Sequence, residues 1–311
     1  MKTIFFPDQT VNDGMYAATI GFFDGVHQGH RFLMERLKAI AKERGMQSMA
    51  ITFERHPRQV VQGGWKPELL TQLHEKLKLL KATGIDTVVV LRFNRQMAAL
   101  SAREFMELMY DRLGVRLLLT GYDNRFGHDR NEGFEDYQRY GQALGIEVLC
   151  GDALTIGQQN VSSSCVRQLL KEGKVEEAAR CLGRPYSIGG QVVHGEQIGR
   201  TIGFPTANLQ PDDDALIPQD GVYAVMVDLD NGSRHQGIMN IGTRPTFNGT
   251  GRTLETNLLE PVGDLYDQQL NIHFIARLRD EQQFPSAEAL AAQIMKDKEQ
   301  ATNALKKVKT I

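Results

Sequence analysis

The sequence predicts an α/β domain built on a parallel sheet, followed by a compact antiparallel β-barrel or sandwich that ends in one helix. Three observations carry this expectation. Strand-like apolar runs alternate with helical patterns from residue 17 to about 150. After Leu182-Gly183-Arg184-Pro185 long helices vanish, and short alternating runs separated by Gly, Asn and Pro replace them. At 311 residues the chain also exceeds a typical single domain and is long enough for two cores. The boundary falls at the change of character, giving domains 1–182 and 183–311.

In order, residues 17–22 form a buried strand, and helix 28–43 follows with Phe32, Leu33, Leu37 and Ile40 at helical spacing. Strand 47–52, helix 73–83, strand 87–92, helix 101–113, strand 116–120, helix 134–144 and strand 147–150 continue the rhythm. Such alternation implies parallel strands with helices on both faces, and ligands then bind beyond the carboxyl ends of the strands. A helical segment over 164–181 leads into strands at 190–194, 221–228, 235–241 and 270–276. Pro285 and Ser286 open the last helix, which carries Leu290, Ile294, Ala301 and Leu305 on one face.

Composition narrows the function. A formal charge of −2 gives no global attraction to nucleic acid or an anionic membrane, so any anion site must be local. No apolar run of bilayer length exists and residues 1–10 lack a signal-peptide pattern, which predicts a cytoplasmic protein without a membrane partner. Cys150, Cys165 and Cys181 are odd in number and show no C-x-x-C spacing, arguing against a disulfide framework or a zinc site.

The segment Gly21-Phe22-Phe23-Asp24-Gly25-Val26-His27-Gln28-Gly29-His30 sits where the first strand hands over to a helix. With a helix starting near Val26, free N–H groups and the positive end of the dipole favour an anion there. His27 and His30, at i and i+3, share a face of its first turn, and Gly25 and Gly29 allow close approach. This geometry suits a nucleotide phosphate. Two more loops follow strands: Thr52-Phe53-Glu54-Arg55-His56-Pro57 and Gly121-Tyr122-Asp123-Asn124-Arg125-Phe126-Gly127. In the second, Phe126 offers a stacking face and Asp123 an acceptor for a ring N–H. Ser162-Ser163-Ser164-Cys165-Val166-Arg167 supplies hydroxyls and an arginine at a helix start, suited to phosphate oxygens. In the β-rich half, Gly195 to Leu209 is glycine-rich without a Walker ending, and Thr206 and Asn208 could ligate Mg²⁺ beside a phosphate.

Together, G-x-F-D-G-x-H-x-G-H, T-F-x-x-H-P, G-x-D-x-R-F-G and S-S-S-x-V-R resemble the adenylyltransferase half of the bacterial bifunctional riboflavin kinase/FAD synthetases, within the nucleotidyltransferase superfamily. The stretch G-R-x-x-G-F-P-T-A-N resembles their riboflavin kinase half, as do Gly221-Val222-Tyr223-Ala224, Asn240 to Thr246 and Leu254-Glu255-Thr256-Asn257-Leu258-Leu259. The resemblance spans about residues 15–305. It implies a Rossmann-like nucleotidyltransferase domain followed by a riboflavin kinase β-barrel. It implies ATP at Gly21, Phe23, Asp24, His27, Gly29, His30, Ser163, Ser164 and Arg167, with His27 and His30 acting in catalysis. Flavin is assigned to His56, Asp123 and Phe126. In the kinase half, ATP is assigned to Gly195, Gly199, Arg200, Gly203, Pro205, Thr206 and Asn208, with Mg²⁺ on Thr206 and Asn208 and Glu255 as the base.

The implied chemistry is phosphorylation of riboflavin to FMN and adenylylation of FMN to FAD, one ATP and Mg²⁺ serving each step, in a monomer or weakly self-associating chain. The terminal phosphate of FMN is already a nucleophile, so the first half must position and neutralise charge. Riboflavin presents a neutral alcohol, so a base helps in the second. Departures from the family pattern stand at Asn124, at Asn257 in place of histidine, at Glu260-Pro261 in place of Asp-Phe, and at Asp267 in place of glycine. Two alternatives remain at this point: a chain with one competent half, and a flavin-binding regulator without catalysis.

Overall fold

A computed structural model of the chain describes residues 1–9, 11, 14–122, 124–128, 132–157, 159–195, 203–246 and 249–308. It divides into two compact units, Met1–Ser163 and Ser164–Ile311. The predicted ligand residues Asp123, Gly199 and Arg200 lie outside the described residues.

The first unit is a six-stranded parallel sheet. Its strands are β1 (Lys2–Phe6), β2 (Tyr16–Ile20), β3 (Gln47–Phe53), β4 (Thr87–Leu91), β5 (Val115–Thr120) and β6 (Glu147–Cys150), in the order β1-β4-β3-β2-β5-β6. From β2 the chain builds outward through β3 and β4 on one side, then returns to place β5 and β6 on the other. The carboxyl ends of β2 and β5 therefore form a topological switch point, the place where such sheets take ligands. Strand β1 adds to the alternation expected from residue 17 onward. It is short, but Ile4 and Phe6 are buried and pair it to β4.

The strands are apolar on both faces because both are covered. Ala18, Ile20, Met49, Ile51, Val89, Leu91 and Leu118 pack with helices α5 (Ala102–Leu113) and α6 (Phe134–Leu144). The alternate residues Ala17, Ala50, Val88, Val90, Leu117 and Leu119 pack with α1 (Gln28–Glu43) and α3 (Leu73–Ala82). Short helices α2 (Pro57–Val61) and α4 (Arg95–Ala98) follow β3 and β4, and a small hairpin joins β7 (Thr155–Ile156) to β8 (Gln159–Asn160).

The second unit begins one residue into α7 (Ser163–Lys171) and continues with α8 (Val175–Leu182); both pack with the chain beyond Leu182: Gln219 N–H donates to Leu170 O at 3.0 Å, and Arg277 N–H donates to Glu176 Oε1 at 3.3 Å. The compact units thus divide at 163/164, ahead of the compositional change at Leu182. Strands β9 (Tyr186–Val193), β10 (Ala207–Pro211), β11 (Gly221–Leu229), β12 (Arg234–Thr246), β13 (Gly249–Leu258) and β14 (Gln269–Arg279) close as β10-β13-β12-β11-β14-β9. Because β9 pairs with both β14 and β10, the architecture is a barrel rather than a sandwich, and closure removes the free strand edges. The terminal helix α9 (Ala287–Val308) lays Ala301 and Leu305 against Val222, Ala224 and Ile238 on the outside of the barrel. Among the described residues no helix is long and apolar enough to cross a membrane.

Candidate active sites

Beyond β2 the chain makes a tight turn. Phe23 lies at φ 53 and ψ 37, Gly25 at φ 80, and Val26 at φ 38. A β-branched residue in that region is strained, which marks a conformation imposed by its surroundings. The result is a 3-10 turn over Asp24–Val26, so α1 begins at Gln28 instead of near Val26. His27 caps the helix: its Nδ1 accepts the His30 N–H at 3.3 Å, leaving Nε2 to carry the ring proton when the ring is neutral. The two imidazoles are stacked at 3.6 Å between centroids and 21° between planes, as i, i+3 spacing allows. Glycine is required at position 29, because a Cβ there would stand 2.9 Å from Val161 O and 3.1 Å from His27 Nδ1.

His30 also meets the Phe23 ring edge-on at 5.2 Å. Its pKa lies well below the ordinary histidine value, first through burial and then through the neighbouring His27 and Lys76. Its Nδ1 is enclosed without a hydrogen-bond partner among the described residues. An anion arriving here would reverse the electrostatic balance and favour the charged ring. Asp24 is turned inward instead. Its carboxylate accepts the backbone N–H groups of Leu70 at 3.0 Å and Thr71 at 3.1 Å, and its carbonyl accepts Ser163 Oγ–H at 2.9 Å. It therefore shapes the turn. Gly21 follows β2 directly and donates its N–H to Ile51 O at 3.0 Å. Ser163 closes the first unit, while Ser164 and Arg167 fall in the first turns of α7.

At the end of β3, His56 caps α2, accepting the Arg58 N–H on Nδ1 at 3.2 Å. Its ring packs edge-on to Phe22 at 4.6 Å and against Trp65 at 4.8 Å. The turns beyond β2 and β3 are thus one aromatic cluster. Beyond β5, Phe126 is buried and stacked on Tyr137 at 4.2 Å, with Phe105 on another side. The stacking face anticipated for Phe126 is taken by the core, and Tyr122, half exposed, is the ring this loop presents outward. Asn124 Nδ2–H donates to Ile20 O, tying the β5 loop to the end of β2 across the switch point. A cavity of about 400 Å³ opens beside it, lined by Thr120, Tyr122, Asn124, Arg125, Phe134 and Cys150.

Sequence reasoning missed Lys76. Its side chain is buried under the turn, and its ammonium donates at 3.1 Å to Phe22 O and at 3.1 Å to Phe53 O while lying 4.0 Å from the centroid of the Phe22 ring. The available signal was its place on the apolar stripe of α3 with Leu73, Leu77 and Leu80.

In the barrel, Glu255 on β13 pairs in register with Asn208 of β10 on one side and Asn240 of β12 on the other. Such cross-strand neighbours stand about 5 Å apart at Cβ. Gly195 packs on the Asn208 amide so closely that a Cβ would lie 2.2 Å from Nδ2, so a side chain there would displace that amide. Gly203 takes φ 82 at the return of the loop, and Pro205 O accepts Asn257 Nδ2–H at 2.7 Å. Asn257, the departure from the family histidine, therefore ties the Phe204-Pro205-Thr206 segment to the strand of Glu255.

Two cavities meet at this point. One of about 600 Å³ is lined by Phe204, Glu255, Phe284, Leu290 and Ile294 together with Thr206 and Asn257. The other, of about 270 Å³, is lined by Gly203, Pro205, Glu260, Tyr266 and Lys298, again with Thr206 and Asn257. The wall between them is the pair Thr206 and Asn257. Asp267, where the family has glycine, sits at φ 64, the left-handed region that glycine occupies freely. Among the described residues no cluster of three or more His, Cys, Asp or Glu could hold a metal. The hydroxyl of Thr206 and the amide of Asn208 are hard-oxygen donors of the kind Mg²⁺ takes beside phosphate and water.

Comparison with known proteins matches the two halves separately. The FAD synthetase family model matches residues 9–165 and the riboflavin kinase family model residues 182–305. The bifunctional riboflavin kinase/FMN adenylyltransferase of Escherichia coli K12 is 41% identical over 281 residues, spanning 90% of this chain and 89% of that protein. The protein of the same name from Listeria monocytogenes is 35% identical over 98% of both chains. A crystal structure described as a macrolide-efflux protein from Streptococcus pneumoniae superposes with a TM-score of 0.88 at 29% identity, covering 97% of this chain and 99% of that one. With both halves matched in order and relatives aligned along nearly its full length, the chain belongs to the bifunctional riboflavin kinase/FMN adenylyltransferase family.

Proposed function

We propose that the chain makes both flavin cofactors: the barrel transfers the γ-phosphoryl group of ATP to riboflavin, giving FMN and ADP, and the first unit joins FMN to the adenylyl group of a second ATP, giving FAD and pyrophosphate. The observation that carries the reading is that both matched halves hold their reactive groups at a built site. These are the stacked His27 and His30 at the switch point, and Glu255 beside the wall of Thr206 and Asn257. We place the functional division at residue 182, where the composition of the chain changes.

In the barrel, the larger and more aromatic cavity suits the flavin, so its terminal hydroxyl reaches Glu255. Glu255 accepts the hydroxyl proton as the oxygen attacks the γ-phosphorus. The smaller cavity then takes the nucleotide, with Gly203, Pro205 and Thr206 along its lining, and the family resemblance adds Gly195, Gly199, Arg200 and Asn208 of the same glycine-rich segment. Thr206 and Asn208 would hold Mg²⁺, which supplies charge neutralisation on the phosphates when bound.

In the first unit no base is needed, because the FMN phosphate is already anionic. The N-terminal amides of α1, with Gly21, Phe23, Asp24 and Gly29 shaping the turn, cradle the triphosphate. His27 and His30 donate to it, and Ser163, held on Asp24 O, completes the assignment within the first unit. His56 and the loop of Asp123 and Phe126 form the flavin side, with Phe126 supporting the loop from the core. The reading places the chain in the cytoplasm as a monomer or a weakly self-associating species.

Incubation of the purified chain with riboflavin and Mg-ATP, followed by chromatography over time, tests the proposal. FMN should rise and give way to FAD. Failure to form FAD even from supplied FMN would remove the first unit from the reading, and failure to form FMN would remove the barrel.

A further inference from the structure

We propose that Lys76 is a positioning residue for adenylyl transfer: its ammonium registers the turn of His27 and His30 against the turn of His56 and holds a positive charge behind both. The inference rests on the adenylyltransferase reading of the first unit. A lysine with 2% exposure is unusual, because an ammonium is expensive to remove from water unless it is well partnered. Here it binds one carbonyl from each turn, Phe22 O and Phe53 O, and lies over the Phe22 ring. That ring abuts His56 at 4.6 Å, and the next residue, Phe23, abuts His30 at 5.2 Å. A shift of the ammonium therefore moves both halves of the site.

Any hydrogen-bond donor could join two carbonyls. What a lysine adds is charge, placed where the triphosphate of ATP and the phosphate of FMN would come together. The titratable groups that face it are Asp24 from the turn, His30 from α1 and, across the Phe22 ring, His56 at the cap of α2. Burial lowers the ammonium pKa to about 8, against the opposing pull of Asp24. The charge is thus present at neutral pH and lost in mild alkali.

The test is FAD formation from supplied FMN and Mg-ATP by the full-length wild type, Lys76→Arg and Lys76→Met, between about pH 6.5 and 9.5. Riboflavin phosphorylation by the same samples serves as an internal measure of integrity. Wild-type kcat/KM for FMN should fall above about pH 8. Lys76→Arg, always charged, should stay active and lose that fall, since an arginine does not deprotonate in this range. Lys76→Met should lose about 100-fold in kcat/KM at pH 7, the scale of one preorganised charge, and show no alkaline fall. Retention of the alkaline fall in Lys76→Arg would overturn the proposal even if the methionine variant does not fold, and so would full activity of Lys76→Met. A wild type that makes no FAD at any pH would instead sink the site reading on which the proposal stands.

Discussion

Replacing Asp297 by alanine should release the terminal helix from the barrel. Arg279 Nε lies 3.0 Å from Asp297 Oδ1 and 3.1 Å from Oδ2, and Nη2 lies 2.9 Å from Oδ2. The carboxylate side chain is 3% exposed and the guanidinium side chain 19%, and Gln293 Nε2–H donates to the same carboxylate at 2.9 Å. Removing one partner of a buried pair costs about 3–5 kcal/mol, because the other charge stays buried and uncompensated. Arg279 keeps a hydrogen bond to Asp280 O at 2.9 Å and some solvent contact, which puts the expected loss near the lower end, about 3 kcal/mol. At about 1.4 kcal/mol per tenfold, amides of α9 should exchange with solvent about 100-fold faster in Asp297→Ala.

Hydrogen exchange read by mass spectrometry on peptides from α9 and β14 resolves this without unfolding the first unit. The double variant Arg279→Met with Asp297→Leu should recover most of the protection, since apolar groups of similar size replace such pairs at little cost. Both residues also line the larger barrel cavity, so the single variant should raise the KM for riboflavin. If α9 exchanged at the wild-type rate in Asp297→Ala, or if the double variant were as labile as the single one, the pair would not hold the helix.

Four further outcomes are expected. Glu255→Gln should stop FMN formation while FAD formation from supplied FMN continues, and His30→Ala should do the reverse, both read by chromatography of the flavins. The pKa of Lys76 falls from 10.5 to about 8 on folding, so the unfolded chain binds more protons between those values and the burial penalty, full below pH 8, is relieved as pH rises. Stability of the wild type relative to Lys76→Met should therefore rise by about 1.3 kcal/mol from pH 7 to pH 9. Urea unfolding followed by Trp65, the single tryptophan, reports it, and a pH-independent difference would contradict the shift. Asp267 holds φ 64, so Asp267→Gly should preserve stability, whereas Asp267→Val should lose about 1–2 kcal/mol in thermal unfolding.

Much of this was legible in the sequence because strand and helix periods differ and because glycines mark the turns. The switch-point loops could be placed at strand ends from that pattern alone. The helix start was harder: a run of left-handed residues including Val26 cannot be read from side-chain pattern, since nothing in a valine announces φ 38. Phe126 looked like a platform for a ligand, but whether an aromatic faces a site or the core depends on Tyr137 and Phe105, which are brought beside it only by the packing of α5 and α6. Lys76 stayed hidden because its partners are backbone carbonyls, which leave no mark in composition. The role of Asn257 was equally invisible, because its partner Pro205 is 52 residues away.

The wall of Thr206 and Asn257 bears on the order of events in the proposed kinase step. Two cavities meet there without merging, so neither ligand has to depart before the other is seated. On this reading the phosphoryl group would pass directly between two bound molecules, with no covalent stopover on the protein. Initial-rate plots for riboflavin and ATP should accordingly intersect, the signature of a ternary complex, instead of running parallel as they do when an enzyme is charged and discharged in turn.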